Sequence, residues 1–545
     1  MNLRPPVGFL LGLAVLLVLM GVLLHPVGTG EARIVDDRDA YLHTWNLWWV
    51  KTALVDEGVS PYSTTYIGHP DGIPLTFHQL VLPLGVLSIP FLYLGLEAGQ
   101  VLLGWQYLLA VIGFAGMYRL VRRYRSEPAG AVLAGLYFVL VPIYWQNLAR
   151  PDSLAYVLLP WVVSAVCWSK VGSRFRLLVP GVLGGIVLLM SPYLGAGLGL
   201  LWLCALPFTG RLDLKFGRLL AVGPLVYLLT SFHWMPQVLT AHPNLPGREV
   251  LRQFSADLSA WVLPPDRLLW LPAEWAWWTD LWTAREPSLY LGWFALGVVL
   301  TGVARARSRR VNWSIGVALV FFLGALGPGI TVLGTTYLQG YLPYALGLDL
   351  FPFLRAFRSP QRLGFFVVFF VALGVGMFFP RDGKLRWFLG SLIVAELLVV
   401  PVRTVELASG EALRTVRGTV GEEALVPVPL TSWPTEVQYA QTIHGKKMPL
   451  VGMSYVPDQV WRILNDNPVL QALYEGKPLP ESGWGKLKNQ GYGGVIVHPR
   501  LFPERLQDRR RNWLATLESR FGEPTLTSDR EIRFTFGPNE PPNPP

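Results

Sequence analysis

Long apolar segments alternate with short basic loops over the first 400 or so residues of this chain. Apolar stretches of this length are typical of membrane-spanning helices. The pattern predicts about eleven spans, at Val7–Leu24, Val101–Tyr118, Ala131–Trp145, Leu154–Trp168, Leu177–Met190, Leu194–Pro207, Leu219–Trp234, Leu291–Val303, Ile315–Leu333, Leu363–Phe379 and Trp387–Val400. The predicted fold class is therefore mainly α, a polytopic membrane helical bundle.

Basic residues in the short loops set the predicted orientation. The loop after the second span contains Arg119, Arg122, Arg123 and Arg125. A short loop with this many arginines belongs on the cytoplasmic side of a membrane. As the spans alternate, the later basic loops fall on the same side, at positions 170–176, 211–218, 305–310 and 381–386. We therefore predict a cytoplasmic N-terminus and an extracytoplasmic C-terminus.

The apolar segment Leu80–Leu96 does not fit this alternation as a span. If Val7–Leu24 runs outward and Val101–Tyr118 runs inward, no segment can cross between them. We predict a re-entrant or interfacial segment, which Pro83 and Pro90 permit where the backbone faces protein or a water-filled cavity. The alternative is that this segment crosses and one basic loop breaks the positive-inside rule.

Composition supports a membrane protein and excludes other classes. The chain has 545 residues, of which 52% are hydrophobic and only 15% charged. Its formal net charge is +10, but the basic residues lie in short clusters between apolar segments, so we predict no nucleic-acid partner. Cys167 and Cys204 both lie in apolar segments, and nothing near them supplies a disulfide framework or a zinc site.

Beyond Val402 the composition becomes that of a soluble domain. We therefore predict a transmembrane domain at 1–402 and a small extracytoplasmic α/β domain at 403–545. Its predicted elements are strands at Ala424–Leu430 and Gly493–His498, a helix at Arg509–Phe521, an edge strand at Ile532–Phe536 and a disordered Pro-rich tail at Pro538–Pro545.

A polar and aromatic pattern at Val35–Trp49 follows the first span. Read as a helix from Asp39, it places Asp39, His43 and Asn46 on one face, and Tyr41, Trp45, Trp48 and Thr52 on the other. Such a helix is suited to a membrane interface, with its polar face turned into a protein cavity. The three acids Asp36, Asp37 and Asp39 then predict an active site. The alternative is an interfacial anchor whose acids only cap the helix.

Further polar residues converge at the same predicted outer end of the bundle. They are Arg150, Asp152, Tyr193, His233, His242, Arg355, Arg358 and Arg362. Asp152 lies at a span boundary, where a carboxylate is costly unless it is solvated, paired or functional, although it is also a candidate helix cap.

Arginines and histidines near this end have separate interpretations. Arg355, Arg358 and Arg362 lie at spacings of three and four, which predicts one helical face suited to a phosphate anion unless Pro360 interrupts the helix. The alternative is that these arginines snorkel toward lipid headgroups. The histidines His69, His78, His233 and His242 lack metal-ligand spacing and are read as structural.

The order of these features resembles the GT-C superfamily of integral membrane glycosyltransferases. The features are a first helix, an outer loop with Asp36-Asp37 followed by Asp39, an interfacial helix, and a second-loop acid in Arg150-Pro151-Asp152. The late stretch Phe357–Arg362, followed by a span and a trailing outer domain, is similar to bacterial members. The resemblance therefore implies a bacterial inner-membrane location.

The resemblance also implies a polyprenyl-phosphate-linked sugar donor, a glycan, lipid or protein acceptor, and inverting transfer. Asp37 or Asp39 corresponds to the first-loop acid that acts as general base, and Asp152 corresponds to the second-loop acid. This chain has Asp-Asp-Arg-Asp where the family has a simple acidic pair, so the identity of the base stays open. The second acid either orients the acceptor or holds a divalent metal such as Mg or Mn.

Two other function classes remain as alternatives. A lipid or polysaccharide transporter predicts charged residues in mid-span and an inverted repeat. The spans here are almost free of charge, which disfavours a transporter. A catalytically silent GT-C-like protein would bind an envelope glycolipid and would have no closed cavity beneath the acidic loop.

Overall fold

The chain folds into two compact units. The first comprises Met1–Pro26 and Gly104–Arg403, and the second comprises Val27–Leu103 and Thr404–Pro545. The computed structural model describes residues 7–24, 33–75, 78–125, 127–169, 174–209, 225, 247–282, 289–306, 308–351, 354–355, 357–381, 383–406, 413–414, 416, 424–431, 435–453, 456–502, 504–528 and 530–536.

Helices make up most of the described elements. In chain order they are α1 (Val7–Leu23), α2 (Arg38–Lys51), α3 (Leu82–Tyr93), α4 (Ala98–Tyr124), α5 (Pro128–Leu140), α6 (Pro142–Gln146), α7 (Pro151–Leu154), α8 (Leu159–Ser169), α9 (Arg174–Met190), α10 (Pro192–Thr209), α11 (Arg248–Gln253), α12 (Trp293–Arg305), α13 (Arg309–Ala325), α14 (Pro343–Leu350), α15 (Gly364–Phe378), α16 (Gly383–Leu397), α17 (Glu436–His444), α18 (Asp458–Asn465), α19 (Pro468–Glu475), α20 (Trp484–Asn489) and α21 (Gln507–Phe521).

The strands are short. They are β1 (Arg33–Val35), β2 (Ser63–Thr64), β3 (Ile73–Pro74), β4 (Ile330–Val332), β5 (Thr335–Tyr337), β6 (Thr404–Glu406), β7 (Ala424–Val428), β8 (Tyr492–Val497), β9 (Leu526–Thr527) and β10 (Ile532–Thr535).

Apolar helices confirm that this is an integral membrane protein. Three described helical segments are each long and apolar enough to cross a bilayer, at Ala98–Tyr124, Pro128–Gln146 and Pro360–Phe378. Shorter apolar helices occur at most of the other predicted spans, while the predicted span Leu219–Trp234 lies outside the described residues. The total of about eleven spans stays a prediction.

Two predicted apolar segments have a different extent in the structure. The span predicted at Ile315–Leu333 is wrong in its second half, because α13 ends at Ala325 and β4 and β5 form a hairpin. Gly327, with a φ of 69°, and Pro328 stop the helix there. The segment predicted at Leu80–Leu96 contains the shorter helix α3, and its re-entrant or interfacial course stays a prediction.

The core of the first unit forms around α15, which packs against α5, α12 and α13. Its nearly continuous apolar sequence suits a helix that is surrounded by others. The ring of Phe366 stacks on that of Phe321 with centroids 4.2 Å apart. At the end of α15 the buried Arg125 donates to the carbonyls of Gly376 and Phe379, so this loop arginine also caps a helix C-terminus.

The second unit contains a four-stranded sheet in the order β7-β8-β10-β9. Strands β7 and β8 run parallel, and β10 is antiparallel to both β8 and β9. The strands and helix predicted in the C-terminal region are all present within about two residues. The prediction of an edge position for Ile532–Phe536 is wrong, because β9 pairs with the outer side of β10.

The second unit also contains the segment that follows the first span. Strand β1 pairs with β6, and α2 packs against α3 and α17. The backbone N–H groups of Gly68 and His69 donate to the carbonyls of Pro449 and Met448. Residues that are far apart in sequence therefore form one folded body.

Two tryptophans of α2 are buried within this unit and do not face lipid headgroups, while the interfacial position of the helix stays a prediction. Trp45 and Trp49 are 0% and 1% exposed. The indole Nε1 of Trp45 donates to Oε1 of Gln441 on α17 at 2.7 Å, and that of Trp49 donates to the carbonyl of Pro61 at 2.9 Å. Protein contacts with α17 and the loop after α2 replace the expected contacts with lipid headgroups.

Candidate functional site

The first-loop acids lie where β1 leads into α2, and each has a different environment. Asp36 is exposed. Asp37 is the N-cap residue of α2, and its Oδ1 accepts the backbone N–H of Asp39 at 2.9 Å. This contact is the capping role that the sequence left as an alternative. Asp39 is half-buried in the first helical turn.

The predicted binding residues His43 and Asn46 meet on the next turns of α2. Both are almost fully buried, and Nδ2 of Asn46 lies 3.3 Å from Nδ1 of His43. The same amide nitrogen donates to the carbonyl of Gln79 at 2.7 Å, and because that carbonyl can only accept, the amide orientation is fixed. Oδ1 of Asn46 therefore faces Nε2 of His78, 2.7 Å away.

His78 completes this cluster, and sequence reasoning missed its connection to it. Burial lowers the pKa of His78 to about 3, with a smaller contribution from the nearby His43, so its ring is neutral. A neutral His78 donates from Nε2 to Asn46, and its ring packs edge-on against Trp45 with centroids 6.1 Å apart. The sequence held no signal for this contact, because His78 lies 32 residues after Asn46.

In the first unit three predicted site residues from separate segments come together. Asp152 on α7 is 1% exposed, and its Oδ2 accepts from Nη1 of Arg362 at 2.8 Å. Cζ of Arg362 lies 4.8 Å from the centre of the Tyr193 ring, near the start of α10. The guanidinium is thus oriented by a carboxylate on one side and an aromatic face on the other.

The local sequence explains how these residues reach their positions. Pro151 occupies the first turn of α7 and Arg150 is its N-cap residue, so the alternative role of Asp152 as the cap is excluded. Arg150 is half-buried two positions before Asp152. Pro360 opens a 3-10 helix at Pro360–Leu363, which leads directly into α15 and carries Arg362. The edge of the Tyr193 ring also packs on Phe357, with centroids 5.5 Å apart.

The buried pair of Asp152 and Arg362 is expensive to maintain. Removing the two charges from water costs several kcal/mol for each ion. The attraction between the buried charges offsets roughly that amount. Because of this cost, ionisable residues among membrane helices are as a rule functional. This pair is the strongest candidate site in the first unit.

The prediction that Arg355, Arg358 and Arg362 share a helical face is wrong. The chain is not helical at positions 357–359, because Pro360 disfavours helical geometry at the preceding residue. Arg358 is exposed, with Cζ 5.5 Å from the ring centre of Phe254, and Arg355 is half-buried. Of the three arginines, Arg362 is the one that contacts Asp152.

The remaining histidines have structural positions or lie outside the described residues. His69 is structural, as predicted, because its Nε2 contacts the carbonyl of Gln490 at 2.7 Å. His233 and His242 lie outside the described residues. Among the described residues, no three His, Cys, Asp or Glu side chains are grouped as metal ligands, so we assign none.

The first-loop acids belong to the second unit and Asp152 belongs to the first. Each cluster is therefore described by its own contacts. The hypothesis that the acids act as a pair stays a prediction.

No family model and no curated protein sequence matches this chain. Among solved structures, it is similar to the oligosaccharyltransferase AglB from Archaeoglobus fulgidus, in complex with an inhibitory peptide and a dolichol-phosphate. The identity is 11% and the TM-score 0.45, over 90% of this chain and 69% of the other. It is also similar to ArnT from Cupriavidus metallidurans bound to undecaprenyl phosphate, with 15% identity and a TM-score of 0.42, over 96% and 97% of the two chains.

At these identities and TM-scores we transfer no residue role from either protein. The function proposed below is based on the contacts of this chain.

Proposed function

We propose that this chain is a membrane glycosyltransferase of the GT-C type. It moves a sugar from a polyprenyl-phosphate carrier to a glycan, lipid or protein acceptor at the extracytoplasmic face of the membrane, and it inverts the anomeric configuration. The convergence of Asp152, Arg362 and Tyr193 carries the proposal, because a buried, pre-oriented arginine is suited to a phosphate leaving group.

Arg362 is assigned to the leaving group. When the bond between the anomeric carbon and the phosphate oxygen breaks, negative charge accumulates on the polyprenyl phosphate. A guanidinium that is already fixed stabilises this charge without reorganising during the reaction. Asp152 is a positioning residue in this scheme, since its carboxylate holds Nη1 of Arg362 at 2.8 Å.

Asp39 is assigned as the general base. Oδ1 of Asp37 accepts a backbone N–H as a helix cap, whereas Asp39 shares its helical face with His43 and Asn46. The Asp39 carboxylate takes the proton from the acceptor hydroxyl as that oxygen attacks the anomeric carbon. One bond forms from acceptor oxygen to carbon, one breaks from carbon to phosphate oxygen, and the configuration inverts.

The test is transfer of radiolabelled sugar from a panel of polyprenyl-phosphate donors, using wild-type membranes and three single variants. We expect Asp39→Asn to reduce transfer by a factor of about 100 or more, as for loss of a general base. Asp36→Asn is the matched control at an exposed position and retains activity. Asp37→Asn also retains activity, because asparagine caps a helix as well as aspartate does.

The outcomes separate the alternatives. Loss of transfer in a folded Asp37→Asn variant, with Asp39→Asn active, would move the base to Asp37. Absence of transfer from every donor, with tight binding of one donor lipid, would favour the non-catalytic glycolipid-binding protein over the enzyme.

A further inference from the structure

A second candidate site lies in the first unit, beside the basic C-terminal end of α4. It is a cavity of about 400 Å³ between α4, α8 and α9. The residues that matter for its chemistry are Arg119, Arg123, Trp161, Ser164, Val179 and Leu183. None of them belongs to the cluster around Asp152.

The polar side of the cavity is suited to an anion. Arg119 and Arg123 lie four residues apart on α4, so both side chains are on the same face of that helix. Both are exposed at the rim of the cavity. Two guanidinium groups beside one cavity offer several N–H donors in the planar geometry that binds a phosphate group.

The indole of Trp161 forms one wall of the cavity, and its position is fixed. Nε1 of Trp161 donates to the carbonyl of Ile112 at 2.9 Å, which holds the indole against α4. Cζ of Arg119 lies 5.7 Å from the centre of the same ring. Gly116 allows this close packing, because a Cβ there would be only 2.5 Å from the indole nitrogen.

A buried hydroxyl in the cavity points to a ligand. Ser164 is 8% exposed, and among the described residues its Oγ has no hydrogen-bond partner. A buried hydroxyl without a partner is costly, and a phosphate oxygen would accept its hydrogen. Val179 and Leu183 on α9 supply an apolar wall, against which a hydrocarbon chain can lie.

We propose that this cavity binds the headgroup phosphate of an anionic glycerophospholipid. The two arginines and Ser164 contact the phosphate, and the first part of an acyl chain lies along Val179 and Leu183. A basic cavity next to apolar helix surfaces combines the two features that such a lipid requires. The positive-inside rule predicts that this lipid belongs to the cytoplasmic leaflet.

Native mass spectrometry of the purified full chain in detergent tests the proposal, with phosphatidylglycerol, phosphatidylcholine of the same acyl chains, and inorganic phosphate as probes. We expect wild-type protein to bind phosphatidylglycerol in preference to phosphatidylcholine. The double variant Arg119→Gln with Arg123→Gln should bind it roughly 30-fold more weakly, since each arginine near an anionic headgroup contributes a factor of about five in affinity. Arg122→Gln is the matched control for the single variant Arg119→Gln, because each removes one charge and Arg122 does not line the cavity.

Val179→Trp separates the cavity from its charge, because it fills the space while retaining both arginines. We expect this variant to lose phosphatidylglycerol as well. Retained binding in Val179→Trp, or a loss in Arg122→Gln equal to that in Arg119→Gln, would overturn the site in favour of general attraction to basic loops. Displacement of the lipid by inorganic phosphate at tenfold excess would overturn the lipid assignment in favour of free phosphate.

Discussion

The two units of this protein each contain a buried polar cluster, and the clusters differ in charge. In the first unit Asp152 and Arg362 form an ion pair with almost no exposure. In the second unit the uncharged amide of Asn46 lies between His43 and the neutral ring of His78. A satisfied neutral network rigidifies a fold at little cost, whereas a buried ion pair returns little stability for the desolvation of two charges. We therefore propose a functional role for the ion pair and a structural role for the hydrogen bonds of Asn46, while substrate binding by His43 and Asn46 stays a prediction.

The largest expected effect on stability comes from breaking the ion pair from one side. Either Asp152→Asn or Arg362→Gln should lower the free energy of unfolding by about 3–5 kcal/mol, because the remaining charge stays buried without its described partner. Unfolding by titration with sodium dodecyl sulfate measures the change. The double variant, with both charges removed, should recover much of the loss. Single variants as stable as the wild type would contradict the burial of the pair.

Removing the centre of the neutral network should have a smaller effect. Asn46→Ala eliminates the hydrogen bonds to His78 and to the carbonyl of Gln79, and should cost about 1–3 kcal/mol. Asn465→Ala, at an exposed position of α18 in the same unit, is the matched control and should change stability by less than about 0.5 kcal/mol. An equal effect of both substitutions would contradict the role of the network.

The neutral network also makes stability depend on pH. The pKa of His78 is about 3 in the folded protein and about 6.5 in an unfolded chain, so the unfolded state binds more protons between these values. Stability is therefore fully present above about pH 6.5 and falls as the pH decreases. The contribution of His78 between pH 7 and pH 5 is about 2 kcal/mol.

Comparison of wild type and His78→Gln over this range isolates that contribution. Burial also lowers the pKa values of His444 and His498, to about 3 and about 4, so the variant should retain a reduced pH dependence. An unchanged slope would mean that His78 is not buried in its neutral form.

The smallest expected effect concerns the helix cap. Asp37→Ala removes the acceptor for the N–H of Asp39 and should cost about 1 kcal/mol, whereas Asp37→Asn should change stability by only a few tenths. Thermal unfolding of the two variants in parallel measures the difference. If both substitutions destabilise equally, the charge of Asp37 matters more than its capping geometry.

Local features of the structure could be predicted from the sequence, and long-range contacts could not. Apolar runs predicted most membrane helices, and the position of α2 and the capping role of Asp37 follow from neighbouring residues. Asp152 and Arg362 were both predicted as site residues, but they are 210 positions apart and nothing in either segment specifies their pairing. The burial of Trp45 by α17 depends on Gln441, which is 396 positions away.

Pro360 explains why one prediction about the site was wrong. Arginines at spacings of three and four suggest a common face only where the chain is helical throughout. The restriction that a proline places on the preceding residue ends that regularity, and Arg358 and Arg362 take different environments.

Transfer of sugar by purified protein, with the amount of released polyprenyl phosphate measured for wild type and Arg362→Gln at equal folded concentration, tests the central claim most directly. We expect wild-type protein to release one polyprenyl phosphate for each sugar transferred, and Arg362→Gln to lose a factor of about 100 or more in rate. Equal rates for the two proteins, or release of the lipid without transfer of sugar, would contradict the assignment of Arg362 to the leaving group.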